Sequence, residues 1–411
     1  MRRLLAFAIL SAALACTTFV FTLGADRQAA AAAPMAELRF AQGGHARIPF
    51  DLRGQHVWVR GRVNGSDSVW IVVDTGASAA AMDEGLARSL ELRMTGEHQA
   101  RGAGGMQRSS SVKNITVDLA GLSIHRRNMD TIDLSALTAQ TLRPMQLILG
   151  YELFETCAVR FDYAAGVMDV WDAKSIPADL PGVSVPMTLI HNHPYVEGVL
   201  TVPGREPLSG RFVIDTGSGA ALIVAPDVAA REKLTAAFPR TLQTLGRGVG
   251  GEVRNRVGRA ESFSIGALRF TAPIVVLPDS GGGYFSAPGT LGNIGGTLLE
   301  RCRVTFDYPH SRVRFEPVDG FDRPFEADMS GAVLTRASGG YEVRIVQADA
   351  PAAEAGLRVG DIVSSVNGEP AASMAAARLK RTLQQDGKVV RFGVKRGADS
   401  LEIAVTLRRL I

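Results

Sequence analysis

The feature that most constrains this chain is an internal repeat. "WIVVDTGAS" at 70–78 returns as "RFVIDTGSGA" at 211–220, so that Asp74 has a counterpart in Asp215. "RGAGG" (101–105) is answered by "RGVGG" (247–251), and "LILGYELFETCAVRFDY" (147–163) by "GNIGGTLLERCRVTFDY" (292–308). Three blocks recurring in one order at nearly constant spacing mean two copies of a single unit, 45–172 and 190–317, joined by a Pro-bearing linker at 173–189. A chain of 411 residues has room for both copies and a further domain. The texture changes after Pro317, and residues 325–411 repeat neither copy.

Each copy reads as mainly β. Apolar or alternating runs ("HVWVRGRVNG", "HPYVEGVLTV") precede the Asp-bearing strand, "NITVDLAGLSI" and "ESFSIGALRF" are strand–turn–strand patterns, and "CAVRFDYAAGVMDVWD" and "CRVTFDYPHSRVRFEP" close each copy as hairpins. Short helices are predicted at "MDEGLARSLEL", "APDVAAREKL", "YELFE" and "GTLLER". The third unit places a helix-like "MAAARLKRTLQQDG" among β-rich stretches and reads as α+β.

Residues 1–34 form a separate segment. Arg2-Arg3 precede an uncharged run from Leu4 to Gly24, then Asp26-Arg27 and an Ala-rich spacer. A basic start, an apolar core and small residues afterwards describe a secretory signal peptide. The run also suits an uncleaved anchor in the inner membrane, and "ALAC" at Cys16 loosely fits a lipoprotein cleavage box. Each option exports the rest of the chain to the periplasm or cell envelope. Beyond this segment only Cys157 and Cys302 remain, at equivalent places in the two copies. That rules out a disulfide-stapled fold and reads as small core residues. The net charge of +4 is spread along the chain with no basic block interleaved with aromatics, so nucleic acid is not an expected partner.

Two acid-bearing turns in a pseudo-symmetric pair predict one site built from both copies. Carboxylates brought within hydrogen-bond reach cannot easily both ionise, so Asp74 and Asp215 would share a proton. One takes a proton from a bound water while the other donates to a carbonyl oxygen, which is general acid–base hydrolysis without a covalent intermediate. Gly76 and Gly217 allow close backbone approach. The hydroxyls of Thr75 and Thr216 can bond across to the opposite loop.

These residues carry a resemblance. Each copy resembles a subunit of the retroviral-type (retropepsin-like) aspartic proteases, and the pair resembles their dimer fused into one chain. The matching motifs are Asp74-Thr75-Gly76-Ala77-Ser78 and Asp215-Thr216-Gly217-Ser218, and Ile148-Leu149-Gly150 answered by Asn293-Ile294-Gly295, where Asn293 departs from the apolar pattern. The resemblance implies two pseudo-symmetric β-barrel lobes and two flaps that bind substrate, with tips at Gly102-Ala103-Gly104-Gly105 and Gly248-Val249-Gly250-Gly251. Ala77 and Ser218, which follow the two triplets, differ. A Ser218 hydroxyl bonded to the ionised carboxylate would lower its pKa, and the first copy lacks that hydroxyl. Activity extending towards neutral pH is therefore expected.

The third unit, through "APAAEAGLRVGDIVSSVNG", resembles a bacterial-type PDZ domain. Such domains add a peptide as a strand at a sheet edge and hold its terminal carboxylate on backbone N–H groups. The resemblance assigns that loop to Gly339-Gly340-Tyr341-Glu342-Val343. His191 and His193 lack Cys or acidic partners at ligand spacing, so neither a metal nor another cofactor is expected. The leading expectation is an exported aspartic endopeptidase acting on peptides or proteins, with a PDZ domain that binds peptide termini or internal strands. Because both half-sites lie in one chain, a monomer suffices. The alternative is a catalytically silent peptide-binding scaffold of the cell envelope.

Overall fold

The computed structural model describes residues 34–102, 105–141, 143–249, 251–279 and 289–411. Its framework is a central sheet shared by the two copies. The strands Val183–Pro186, Arg312–Pro317, Cys302–Asp307, Cys157–Asp162, Val167–Asp172 and His45–Arg53 lie side by side in that order. Where the copies meet, Cys157–Asp162 runs antiparallel to Cys302–Asp307 with Arg160 opposite Thr305. Those two residues occupy equivalent places in the repeat, so the pseudo-twofold axis passes between them. The repeated "FDY" motif explains the adhesion. Phe161 and Phe306 are fully buried and meet edge-to-face at 5.8 Å, with Phe154 and Tyr308 stacked beside them. Each such ring buried contributes roughly 1.5–3 kcal/mol. The linker is itself structured, since its Val183–Pro186 pairs with the last strand of the second copy.

Within each lobe the Asp-bearing strand lies parallel to the strand of the downstream Gly motif. Val69–Val73 pairs with Leu147–Leu149, and Leu208–Asp215 with Thr290–Gly295. Parallel strands buried on both faces need continuous apolar runs, which "WIVV" and "RFVI" supply: Ile71, Val73, Phe212 and Ile214 have no exposed surface. Cys157 and Cys302 are free and buried in the common core.

The C-terminal unit is a six-stranded sheet with its own core around Tyr341, Val343, Val363, Phe392 and Val405. A pinned strap connects it to the second lobe. Arg301 lies over the Phe325 ring at 3.3 Å and donates to the carbonyls of Phe321, Arg323 and Pro324, while Arg259 donates to Phe325 O at 2.8 Å. The unit then packs along the hairpin Leu242–Gly248/Gly251–Arg259, from its base at Leu242 to Glu252 next to the tip. The Gln347 carboxamide bonds the backbone of Gln243 in both directions (2.9 and 3.2 Å), Arg344 pairs with Glu252 at 3.6 Å, and Leu242 is buried with Ala350 and Leu410.

Candidate active site

The strands Val69–Val73 and Leu208–Asp215 deliver Asp74 and Asp215 to the junction of the lobes, where their carboxyls hydrogen-bond each other. Four hydrogen bonds lock the loops together. Thr75 N–H donates to Thr216 Oγ1 (3.0 Å) and Thr216 N–H to Thr75 Oγ1 (3.0 Å). Thr75 Oγ1 donates to Ile214 O (2.8 Å) and Thr216 Oγ1 to Val73 O (2.9 Å). Each hydroxyl thus both accepts from and donates to the strand end of the opposite lobe, and both threonines are 1% exposed. The glycines are there for space. A Cβ on Gly76 would sit 2.5 Å from Asp215 Cγ, and one on Gly217 would strike the Asp74 carboxyl. Their N–H groups instead donate to the nearer aspartate, Gly76 to Asp74 Oδ1 at 2.7 Å and Gly217 to Asp215 Oδ1 at 2.8 Å.

Burial disfavours charge here, so both carboxyls are pushed up. Asp74 is raised well above the usual range by burial, by the Asp215 charge and by the hydrogen bond between the two groups. Burial raises Asp215 too, but the Asn293 amide, the Asp74 hydrogen bond and the Gly217 N–H pull it back. Asn293 donates from Nδ2 to Asp215 Oδ2 at 2.7 Å. Sequence reasoning singled Asn293 out only as a departure from an apolar pattern and missed its role. It credited the difference between the halves to Ser218. The structure corrects this: among the described residues the Ser218 hydroxyl bonds neither carboxyl, and what anchors Ser218 is its main chain, with N–H to Asp215 O (3.2 Å) and C=O accepting from Gly296 (2.7 Å). Ala77 uses its main chain in the same way, accepting from Tyr151 N–H at 3.0 Å.

Two histidines also flank the pair. His56 opens the strand His56–Val63 and lies against the main chain of Gly217 in the opposite lobe, within the field of Asp215. His193 opens His193–Thr201 and lies against Gly76. Burial lowers both, His193 to about 4, so both are neutral at neutral pH. Aligning the copies on Gly61 and Gly198 would have paired them.

The two expected flaps are hairpins of matching design. Thr95–Gly102 pairs with Gly105–Leu119, Gly102 facing Gly105, and Leu242–Gly248 with Gly251–Arg259, Gly248 facing Gly251. Ala103, Gly104 and Gly250 lie outside the described residues. The tips meet across the lobes: a Cβ on Gly102 would fall 2.5 Å from Val249 O, and Val249 packs on a first-lobe apolar cluster that includes Ile148, Ala77 and Ala100.

In the C-terminal unit the expected carboxylate loop is misplaced. Gly339 and Gly340, at φ +81° and +151°, make the turn between Ala332–Ala337 and Gly340–Val346. Tyr341 and Glu342 face Arg336 and Thr335 on one side and Val363 and Ile362 on the other, and Val343 faces Leu334, so no peptide strand can be added at this inner strand. A Gly-Gly pair before a β pattern reads equally as a binding loop or a hairpin turn, and here it is the turn. Among the described residues, the strand without an outer neighbour on this side is Ala332–Ala337. It is entered through a turn in which Asp328 Oδ1 accepts from Ser330 N–H, Ser330 Oγ and Gly331 N–H at 2.6–2.9 Å.

Residues 59–153 and 199–294 each match the aspartyl protease family, and residues 342–396 match the PDZ domain. The chain is two aspartyl protease repeats followed by a PDZ domain. The matched segments carry one aspartate of the pair each. Among curated proteins none matches the chain. The protease repeats are retropepsin-like, one per lobe, and the PDZ domain implies peptide binding.

Proposed function

We propose that this protein is an exported aspartic endopeptidase that hydrolyses peptide bonds with a water activated between Asp74 and Asp215. The observation that carries the reading is the pair itself, two carboxyls hydrogen-bonded to each other on loops that the Thr75/Thr216 bonds hold face to face. Burial keeps one proton on the pair, so one carboxylate can accept from water while the other donates to the scissile carbonyl. The two flap hairpins, whose tips meet across the lobes, suit an extended peptide lying beneath them, and the PDZ domain supplies a second peptide-binding surface for protein substrates. Export rests on Arg2-Arg3 and the uncharged run Leu4–Gly24; residues 1–33 lie outside the described part of the chain. Cell fractionation tests export, and recovery of the protein in the cytoplasm overturns it.

The test of activity is cleavage of a mixed peptide library by the full chain, beside Asp74→Asn and Asp215→Asn. Cleavage by the wild type and its loss in both variants is expected. Equal cleavage by all three removes the pair as the catalyst. No cleavage by any, at any pH, turns the reading to a silent peptide-binding scaffold.

A further inference from the structure

The two halves of the site hold their carboxyls with matching hydrogen bonds but differ at a buried position beside one of them. Each carboxyl accepts the N–H of the glycine two residues on, and each loop contributes the same pair of threonine bonds. Asn293 breaks the symmetry. It lies on Thr290–Gly295, the parallel neighbour of the Asp215 strand, with no exposed surface, and it gives Asp215 an extra donor at 2.7 Å. Its counterpart is Ile148, which packs in an apolar cluster and has no hydrogen to offer Asp74.

An amide this close to a carboxyl can be turned either way, and the two orientations call for different protonation states. With Nδ2 towards Asp215, its Oδ1 has no hydrogen-bond partner among the described residues. Leaving a buried acceptor unpaired is costly, and a bond to an ionised acceptor, about twice as strong as a neutral one, offsets it. Turned the other way, the amide would present Oδ1 to Asp215 and demand a proton there.

The geometry points to Asn293 as a positioning residue that divides the labour: it holds Asp215 as the carboxylate that takes the proton from water and leaves the shared proton on Asp74. This rests on the proposed peptidase reading. Asp215 removes a proton from water as its oxygen bonds to the scissile carbonyl carbon, and the Asp74 proton passes to the carbonyl oxygen. In the resulting gem-diol, Asp215 returns its proton to the leaving nitrogen as the C–N bond breaks, and one hydroxyl proton goes back to Asp74. The titratable groups facing the pair do not reverse this order. His56 faces Asp215 and can only favour its anion, His193 lies against Gly76, and the Tyr308 phenol, near Asp74, is held neutral by burial.

Two measurements test it. The first is the pH dependence of kcat/KM on a peptide from the library, for wild type and Asn293→Ile, which installs the first-lobe residue. Removing a donor from the Asp215 anion should move the acid limb up by about one to two pH units, with the alkaline limb, set by Asp74, unmoved. An acid limb that stays in place in a folded variant overturns the assignment. The second measurement needs no turnover and no change at 293. Carboxyl titration by NMR of 13C-labelled aspartate in Asp74→Asn and Asp215→Asn isolates each remaining partner. Asp215, alone in the first, should ionise at lower pH than Asp74, alone in the second, and the reverse order overturns the proposal. A protein that cleaves nothing but titrates in the expected order refutes the peptidase reading and not the assignment.

Discussion

Replacing Thr75 by Val keeps the volume close and removes one hydroxyl, and the consequence can be worked from the hydrogen bonds. Ile214 O loses its donor and Thr216 N–H its acceptor, in a place where both threonines are 1% exposed and water cannot substitute. Each orphaned buried group costs about 1–3 kcal/mol, so the variant should lose roughly 2–6 kcal/mol, a large part of the 5–15 kcal/mol by which domains are ordinarily stable. Thr216→Val orphans the equivalent groups, Val73 O and Thr75 N–H, and should cost about the same. Thr75→Ser keeps the hydroxyl and should lose about 1 kcal/mol, for the missing methyl. Urea unfolding followed by tryptophan fluorescence measures all three, since Trp58, Trp70 and Trp171 all belong to the first lobe. Two results would refute the reasoning: a Thr75→Val protein as stable as wild type, or a serine variant that falls with the valine one. A large loss in one valine variant and none in its mirror would show that the bonds do not act as a reciprocal pair.

Three further outcomes are expected. Gly76→Ala forces its Cβ against Asp215, at 2.5 Å in the present geometry, so the loops must part; a lowered unfolding midpoint with library cleavage at the level of Asp74→Asn is expected, and unchanged cleavage would contradict the packing. Burial pushes the thiols of Cys157 and Cys302 up to about 12, so iodoacetamide at pH 8 should leave both unmodified in the native protein and label both after denaturation, as read by peptide mass spectrometry. Gln347→Ala removes the acceptor of the Gln243 N–H, and hydrogen exchange at that amide should speed up by as much as about tenfold, while amides of the first-lobe flap keep their rates; no change at Gln243 would mean the PDZ domain does not brace the second hairpin.

The repeat alone determined the broad architecture. Two copies with an Asp-Thr-Gly turn at the same place can bury their apolar strands and exposed closing hairpins only by meeting, and the copies do meet with Arg160 opposite Thr305. The positions of Asp74, Asp215, the threonines and the glycines were legible for the same reason: one Asp-Thr-Gly at a strand end is an ordinary turn pattern, and its return at the same place in the second copy marks a pair. What the sequence left open depends on contacts between segments that share no pattern. Asn293 reads as a flaw in an apolar motif until the parallel strand places it beside Asp215. His56 drew no reading from the sequence and His193 only that of a histidine without metal-ligand partners, until the lobes close and each ring lies against the opposite glycine. Gly339-Gly340 is a turn because strands on both sides claim the backbone that follows it. The docking of the PDZ domain on the second hairpin, through Gln347, Arg344 and Leu410, follows no periodicity at all. Local propensity and repetition specify what each copy is. How the copies and the PDZ domain touch is decided by shape and by which buried donors find acceptors, and only the tertiary structure brings those groups together.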